Sequence, residues 1–177
     1  MPKSSRRSGK RVTRGETLRV VIETPRGSRI KYAWEPDESR FLVKKLLPHG
    51  MVFPFDFGFI PDAMGGDGDP LDVLVLMDEP AYPGSIVECR LIGAIMGVDV
   101  KGAKRERNDR LIAVAEETSD YADILDIRDL GKRVREIVHF FESYPALRGK
   151  TFKVSSVRGA QAAGQVLQKA RETSGVG

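Results

Sequence analysis

Residues 67–77 read D-G-D-P-L-D-V-L-V-L-M, and the fold turns on how that stretch divides. Its first half holds three carboxylates, Asp67, Asp69 and Asp72, broken by Gly68 and Pro70. Asp, Gly and Pro are turn formers, so the plain reading of D-G-D-P is a tight acidic loop. The second half, Leu71–Met77, is apolar at both parities, which predicts a strand buried on both faces. Asp72 stands at the entrance of that strand. A carboxylate taken partly out of water there is costly unless it is paired or metal-bound. Three aspartates without His or Cys suit a small hard cation such as Mg2+, which prefers carboxylate oxygens and retained waters. The further Gly and Glu of an EF-hand loop are absent from the register.

Working outward, Leu18–Thr24 is apolar and β-branched, and Pro25-Arg26-Gly27-Ser28 is a turn. Arg29–Trp34 and Arg40–Leu46 read as the next two strands. An aromatic-rich loop follows at 51–61, where Phe53, Phe55, Phe57 and Phe59 alternate at strand period and read as core or interface. Ser85–Gly97 and Arg110–Glu116 are two further strands, joined by a polar loop at 98–109. Thr118-Ser119-Asp120 is expected to cap a short helix over Tyr121–Leu125. Asp129 is expected to cap a longer one, with Leu130, Val134, Ile137, Val138 and Phe141 at helical spacing and Tyr144-Pro145 ending it. Gly159–Glu172 predicts a last helix, with Ala163, Val166, Leu167 and Ala170 on one face. Strands first and helices afterwards give an α+β fold, a small β-barrel carrying helices.

The chain of 177 residues suits one domain with a substantial core. Its longest apolar run is of strand length, well short of the roughly 20 residues that span a bilayer. One cysteine, Cys89, excludes an internal disulfide framework and suits a reducing compartment. Two histidines leave a structural zinc site without ligands. Lys3, Arg6, Arg7, Lys10, Arg11 and Arg14 crowd the start; without these six the net charge falls from +4 to about −2. The expectation is a basic disordered tail over 1–16 and one soluble, cytoplasmic domain over 17–177, with no membrane segment.

The longer string D-G-D-P-L-D-V-L-V resembles the signature of the soluble inorganic pyrophosphatases of the Asp-rich, OB-fold type. V-V-I-E-T-P and I-K-Y at 20–32, F-P-F-D-F-G-F-I-P at 53–61 and H-F-F-E-S-Y at 139–144 resemble the same family in the same order. The resemblance implies a five-stranded barrel with helices, and Mg2+-dependent hydrolysis of pyrophosphate to two phosphates. It implies metal binding by Asp67, Asp72 and Asp99, and a catalytic Asp69 that helps activate the water. It further implies Lys31, Lys45, Arg110 and Tyr144 on the substrate phosphates, Glu23 in support, and a homo-oligomer.

The chain also departs from that pattern. Ala33 stands for an acid, Lys45 for an arginine, Phe57 for a tyrosine and Pro145 for a lysine. Asn108 replaces the metal-binding aspartate of an Asp-x-Lys pair and is itself a metal-ligand candidate through its amide oxygen, with Asp109 beside it as a substitute ligand and Arg110 following. These departures motivate an alternative: a divergent relative that binds phosphate compounds with weak or no hydrolysis. A nucleic-acid-binding OB-fold, motivated by the basic tail, is the weakest reading, because an Asp-lined site repels phosphate backbones unless metals intervene.

Overall fold

The computed structural model describes residues 15–146 and 149–175. Most of the basic tail therefore lies outside the described residues. The elements run β1 (Thr17–Thr24), β2 (Ile30–Glu35), β3 (Arg40–Leu46), β4 (Asp56–Met64), β5 (Pro70–Leu76), β6 (Ile86–Lys101), β7 (Lys104–Arg107) and β8 (Arg110–Ala115). A 3-10 turn (Ile127–Leu130), α1 (Arg133–Ala146), β9 (Thr151–Gly159) and α2 (Ala160–Thr173) complete the chain.

Five strands close a ring in the order β1-β4-β5-β8-β6, with β6 pairing back onto β1. Only the β5–β8 pair is parallel within that ring. Closure leaves no unpaired edge among these strands. β2 and β3 form a separate antiparallel hairpin, and β9 pairs along the outer half of β6. The expected five-stranded barrel of an α+β protein is present.

The alternation of β5 builds two cores. Leu71, Val73 and Val75 join Leu18, Val20, Ile22, Ile60, Leu91 and Leu111 in a cluster drawn from all five ring strands, with Ala163 and Leu167 of α2 against it. Leu74 and Leu76 face outward, where Ile92, Ile112, Phe57 and Phe53 meet Ile137, Phe140 and Phe141 of α1. Asp72 has the parity of Leu74, so it belongs to the outer, α1-covered face.

Several local expectations give way. The aromatic loop becomes strand from Asp56 onward, because Phe57 and Phe59 earn burial at period two; Pro61 is accommodated at an irregularity in the β4–β5 register. The polar loop at 98–109 is a hairpin, β6 running on to Lys101 and turning at Gly102 (φ 61) into β7. Residues 118–125 form turns rather than a helix, with Thr118 Oγ and the Ser119 and Asp120 N–H groups donating to Asp78. Asp129 closes the 3-10 turn instead of capping α1, and Gly131 (φ 55) separates the two. Pro145 lies inside the last turn of α1. Strand β9 is an addition: its Thr151-Phe152-Lys153-Val154 start follows the helix too closely to read as a strand by pattern alone.

Candidate active site

Arg110 opens β8, and Asn108 and Asp109 lie between β7 and β8, outside either strand. Arg110 is buried, its Nε 3.6 Å from Asp72 Oδ2. That separation makes an ion pair and is too long for a hydrogen bond. Its Nε and Nη1 are buried without a hydrogen-bond partner. The guanidinium carbon lies 4.6 Å from the Phe141 ring centroid and 3.8 Å from that of Phe152, so two aromatic faces hold the cation. Asn108 turns to Asp99, its Nδ2 donating to Asp99 Oδ2 at 2.9 Å.

Asp109 points to the other side. Its Oδ1 accepts from Gly97 N at 3.1 Å and its Oδ2 from Arg107 Nε at 2.6 Å. It lines a cavity of about 750 Å3 beside α2, with Met96, Arg158 and Lys169. Its carboxylate is thus occupied by the Gly97 N–H of β6 and the Arg107 side chain of β7. Asp109, the expected substitute ligand, is held by Gly97 and Arg107, while its neighbour Asn108 turns to Asp99.

The β2–β3 hairpin brings cations to the same mouth. Lys31 and Lys45 are directly opposed across it. Lys31 Nζ sits 5.2 Å from the Phe57 ring centroid, and Lys45 Nζ 5.1 Å from that of Tyr144. Like charges directly opposed are unfavourable in isolation, and an anion between them reverses the sign. Burial works against the charge of Lys31, but Tyr144, Asp72 and Glu23 outweigh it and hold its pKa above the ordinary lysine value. Glu23, buried on β1, accepts from Trp34 N at 2.7 Å, which ties the hairpin to the barrel.

The acidic loop is shaped by glycine. A Cβ on Gly66 would come 2.9 Å from Arg107 O, so only Gly lets the loop lie against the β7 hairpin. Gly65 N donates to Asp69 O at 2.7 Å, closing the turn that presents Asp67 and Asp69. Asp67 is half-buried and Asp69 exposed. Burial raises the pKa of Asp72, with Asp69 adding to the rise while Lys31 and Arg110 oppose it. Burial also raises Asp67, reinforced by Asp72 and Asp69. Glu23 is raised by burial too, against the Trp34 N–H and Lys31.

Among the described residues, no three His, Cys, Asp or Glu side chains converge closely enough to cage a metal ion alone. Mg2+ seldom needs such a cage: one or two carboxylates, retained waters and substrate phosphate oxygens complete its shell. The donors here are all oxygen, and the buried, unpartnered N–H groups of Arg110 beside Asp72 await an anion. The residues fit a divalent cation delivered against a phosphate.

Sequence reasoning missed the two rings that hold Arg110 and the glycine that admits one of them. A Cβ on Gly97 would fall 2.2 Å from Phe152 Cζ. A glycine inside a long strand was the available signal.

Fold and site define a closed five-stranded barrel whose outer mouth sets carboxylates against fixed cations. Residues 20–174 match the family profile described as inorganic pyrophosphatase. The chain belongs to the inorganic pyrophosphatase family, whose members are metal-dependent. It is 43% identical over 161 residues to the inorganic pyrophosphatase of Aquifex pyrophilus, covering 89% of each chain. It is 41% identical over 152 residues to that of Thermus thermophilus, covering 84% of this chain and 85% of the relative. The crystal structure of the Thermus thermophilus enzyme superposes with a TM-score of 0.84 at 35% identity, covering 99% of this chain and 97% of that one.

Proposed function

We propose that this chain hydrolyses inorganic pyrophosphate to two orthophosphates with Mg2+ as its cation. The observation that carries the reading is Arg110, a buried guanidinium with unpartnered N–H groups beside Asp72 and across the mouth from the opposed Lys31 and Lys45. A small polyanion that arrives with a divalent ion answers both charge sets at once. Relatives near 40% identity over most of the chain support turnover rather than binding without hydrolysis.

In this reading Asp67, Asp72 and Asp99 supply the carboxylates that would hold the cation. When bound, Mg2+ polarises phosphoryl oxygens and lowers the pKa of coordinated water. Exposed Asp69, at the solvent side of the loop, accepts the proton as water adds to phosphorus. The bond from that phosphorus to the bridging oxygen breaks, and the second phosphate leaves. Lys31, Lys45 and Arg110 meet the charge that develops on the leaving and equatorial oxygens, and the Tyr144 hydroxyl donates to one of them. Glu23 keeps Lys31 charged and the hairpin in place. Cytoplasmic residence and assembly with further copies of the chain belong to the same reading, through family membership. Among the described residues no helix is long and apolar enough to cross a membrane.

Phosphate release from pyrophosphate tests this directly. The wild type should turn over with Mg2+ and stop after thorough chelation. Asp72→Ala should lose roughly 10²–10³-fold in kcat. Undiminished activity in chelator, or in Asp72→Ala, would remove the mechanism.

A further inference from the structure

The cavity of about 750 Å3 beside α2 is lined by none of the side chains that the mechanism above uses. Its floor is apolar. Leu71 and Ala170 belong to the buried core, and Met96 and Val166 pack against that core from the cavity side. Its rim is cationic, with Arg107 from β7, Arg158 from β9 and Lys169 from α2. Three cations against the one carboxylate of Asp109 leave a net charge of +2 on the lining. Arg107 Nε is paired with Asp109 Oδ2 at 2.6 Å, whereas Arg158 Nε donates to the neutral Ser156 Oγ at 3.2 Å and Lys169 is exposed. Gly65, Gly66 and Gly68 line the cavity while Asp67 and Asp69 do not, so an occupant would lie against the back of the loop that presents those carboxylates.

Charge and shape together select the occupant. An inorganic anion would satisfy the rim and leave the apolar floor wet. A neutral apolar molecule would cover the floor and leave the cations without counter-charge. A single carboxylate brings half the charge that the rim offers. A phosphate monoester carries about −2 at pH 7, and its oxygens match the fork of a guanidinium. An aromatic body suits the remainder, because thioether sulfur and guanidinium both make favourable contacts with rings, and Met96, Arg107 and Arg158 supply them. The volume falls within the roughly 300–1,000 Å3 of small-molecule sites. We infer that this cavity binds a phosphate monoester of an aromatic ring system, at a site separate from the mouth that takes pyrophosphate. The rim holds the phosphate, and the floor of Leu71, Met96, Val166 and Ala170 takes the rings.

Calorimetric titration of the full chain with naphthyl phosphate, in metal-free buffer, tests this without reference to turnover. The ester should bind once per chain, about 10-fold or more tighter than either inorganic phosphate or naphthol, since each half meets only part of the cavity. Lys169→Glu and Arg158→Glu alter exposed side chains and should each weaken the ester by about 10-fold or more, with melting temperatures close to that of the wild type. Arg110→Lys, at the mouth, should leave its affinity unchanged. Binding of the ester no tighter than of either half, or no binding at millimolar ligand, would overturn the inference. Weakening by Arg110→Lys instead of by the two rim variants would place the ester in the mouth and overturn it equally. So would a lower mass for Lys169→Glu in sedimentation, because the cavity would then be covered by a second copy of the chain.

Discussion

Arg110 trades hydration for two aromatic faces. Phe141 comes from α1 and Phe152 from β9, and together they hold the cation beside Asp72. A planar guanidinium stacks and forks; an ammonium does neither. Arg110→Lys should therefore lower kcat/KM for pyrophosphate by about 10–100-fold, through lost bidentate contact and lost stacking. Steady-state kinetics at saturating Mg2+ would check this. A variant within twofold of the wild type would mean that the guanidinium holds no substrate oxygen.

At the scale of elements, one carboxylate joins the 3-10 turn to the last helix. Asp126 Oδ1 accepts from Arg128 N at 3.0 Å, and its Oδ2 from Ala160 N at 3.1 Å. Helix α2 has Gly159 at its N-cap and no side-chain cap of its own, so Asp126 caps it from 34 residues away. A Cβ on Gly159 would lie 2.6 Å from Asp126 Oδ2, which explains the glycine. Burial pushes the Asp126 pKa up, but Arg128 and the two N–H donors outweigh it and hold it below the ordinary value. A lowered folded pKa gives stability that is present above the unfolded pKa of about 3.9 and is lost as pH falls through the folded value. Asp126→Ala should cost about 1–2 kcal/mol at pH 7. Urea unfolding repeated toward pH 3 should show the gap narrowing. A gap that stayed constant over that range would mean that the ionised carboxylate contributes nothing.

At the scale of the whole molecule, the closed ring isolates its interior. Cys89 faces that interior, fully buried, and its thiol is pushed up to about 12 by burial, with Glu116 adding to the rise. The thiolate is the reactive form, and both its population and its access are suppressed here. Labelling of native protein by a thiol reagent at pH 8 should be slower than that of a free cysteine by on the order of 10³-fold or more, because it waits on opening of the barrel. Across a denaturant series, labelling and loss of circular dichroism should rise together. Fast stoichiometric labelling of the native chain would show that the β1–β6 closure is leaky.

The apolar run at 71–77 by itself determined a strand buried on both faces, because burial at both parities leaves no solvent face, while the barrel followed from the order of strands and helices and from the family resemblance. The D-G-D-P-L-D string likewise exposed Asp67, Asp69 and Asp72 as a charge cluster that needs cations, since that requirement is local. Where strand and loop compete, the sequence was less legible: the 98–109 segment is polar throughout, so its hairpin pairing left no hydrophobic alternation to read. Strand β9 was hidden for a related reason, its pairing partner being 50 or more residues earlier on β6. Only tertiary structure decided that Arg110 meets Asp72 and Asn108 meets Asp99 while Asp109 meets Gly97 and Arg107. Composition at 108–110 is nearly interchangeable for metal or phosphate chemistry, and which way each residue turns is set by how the link between β7 and β8 is held against Gly97. The two rings around Arg110 were likewise invisible in sequence, because they meet from different elements only after α1 and β9 close over the barrel.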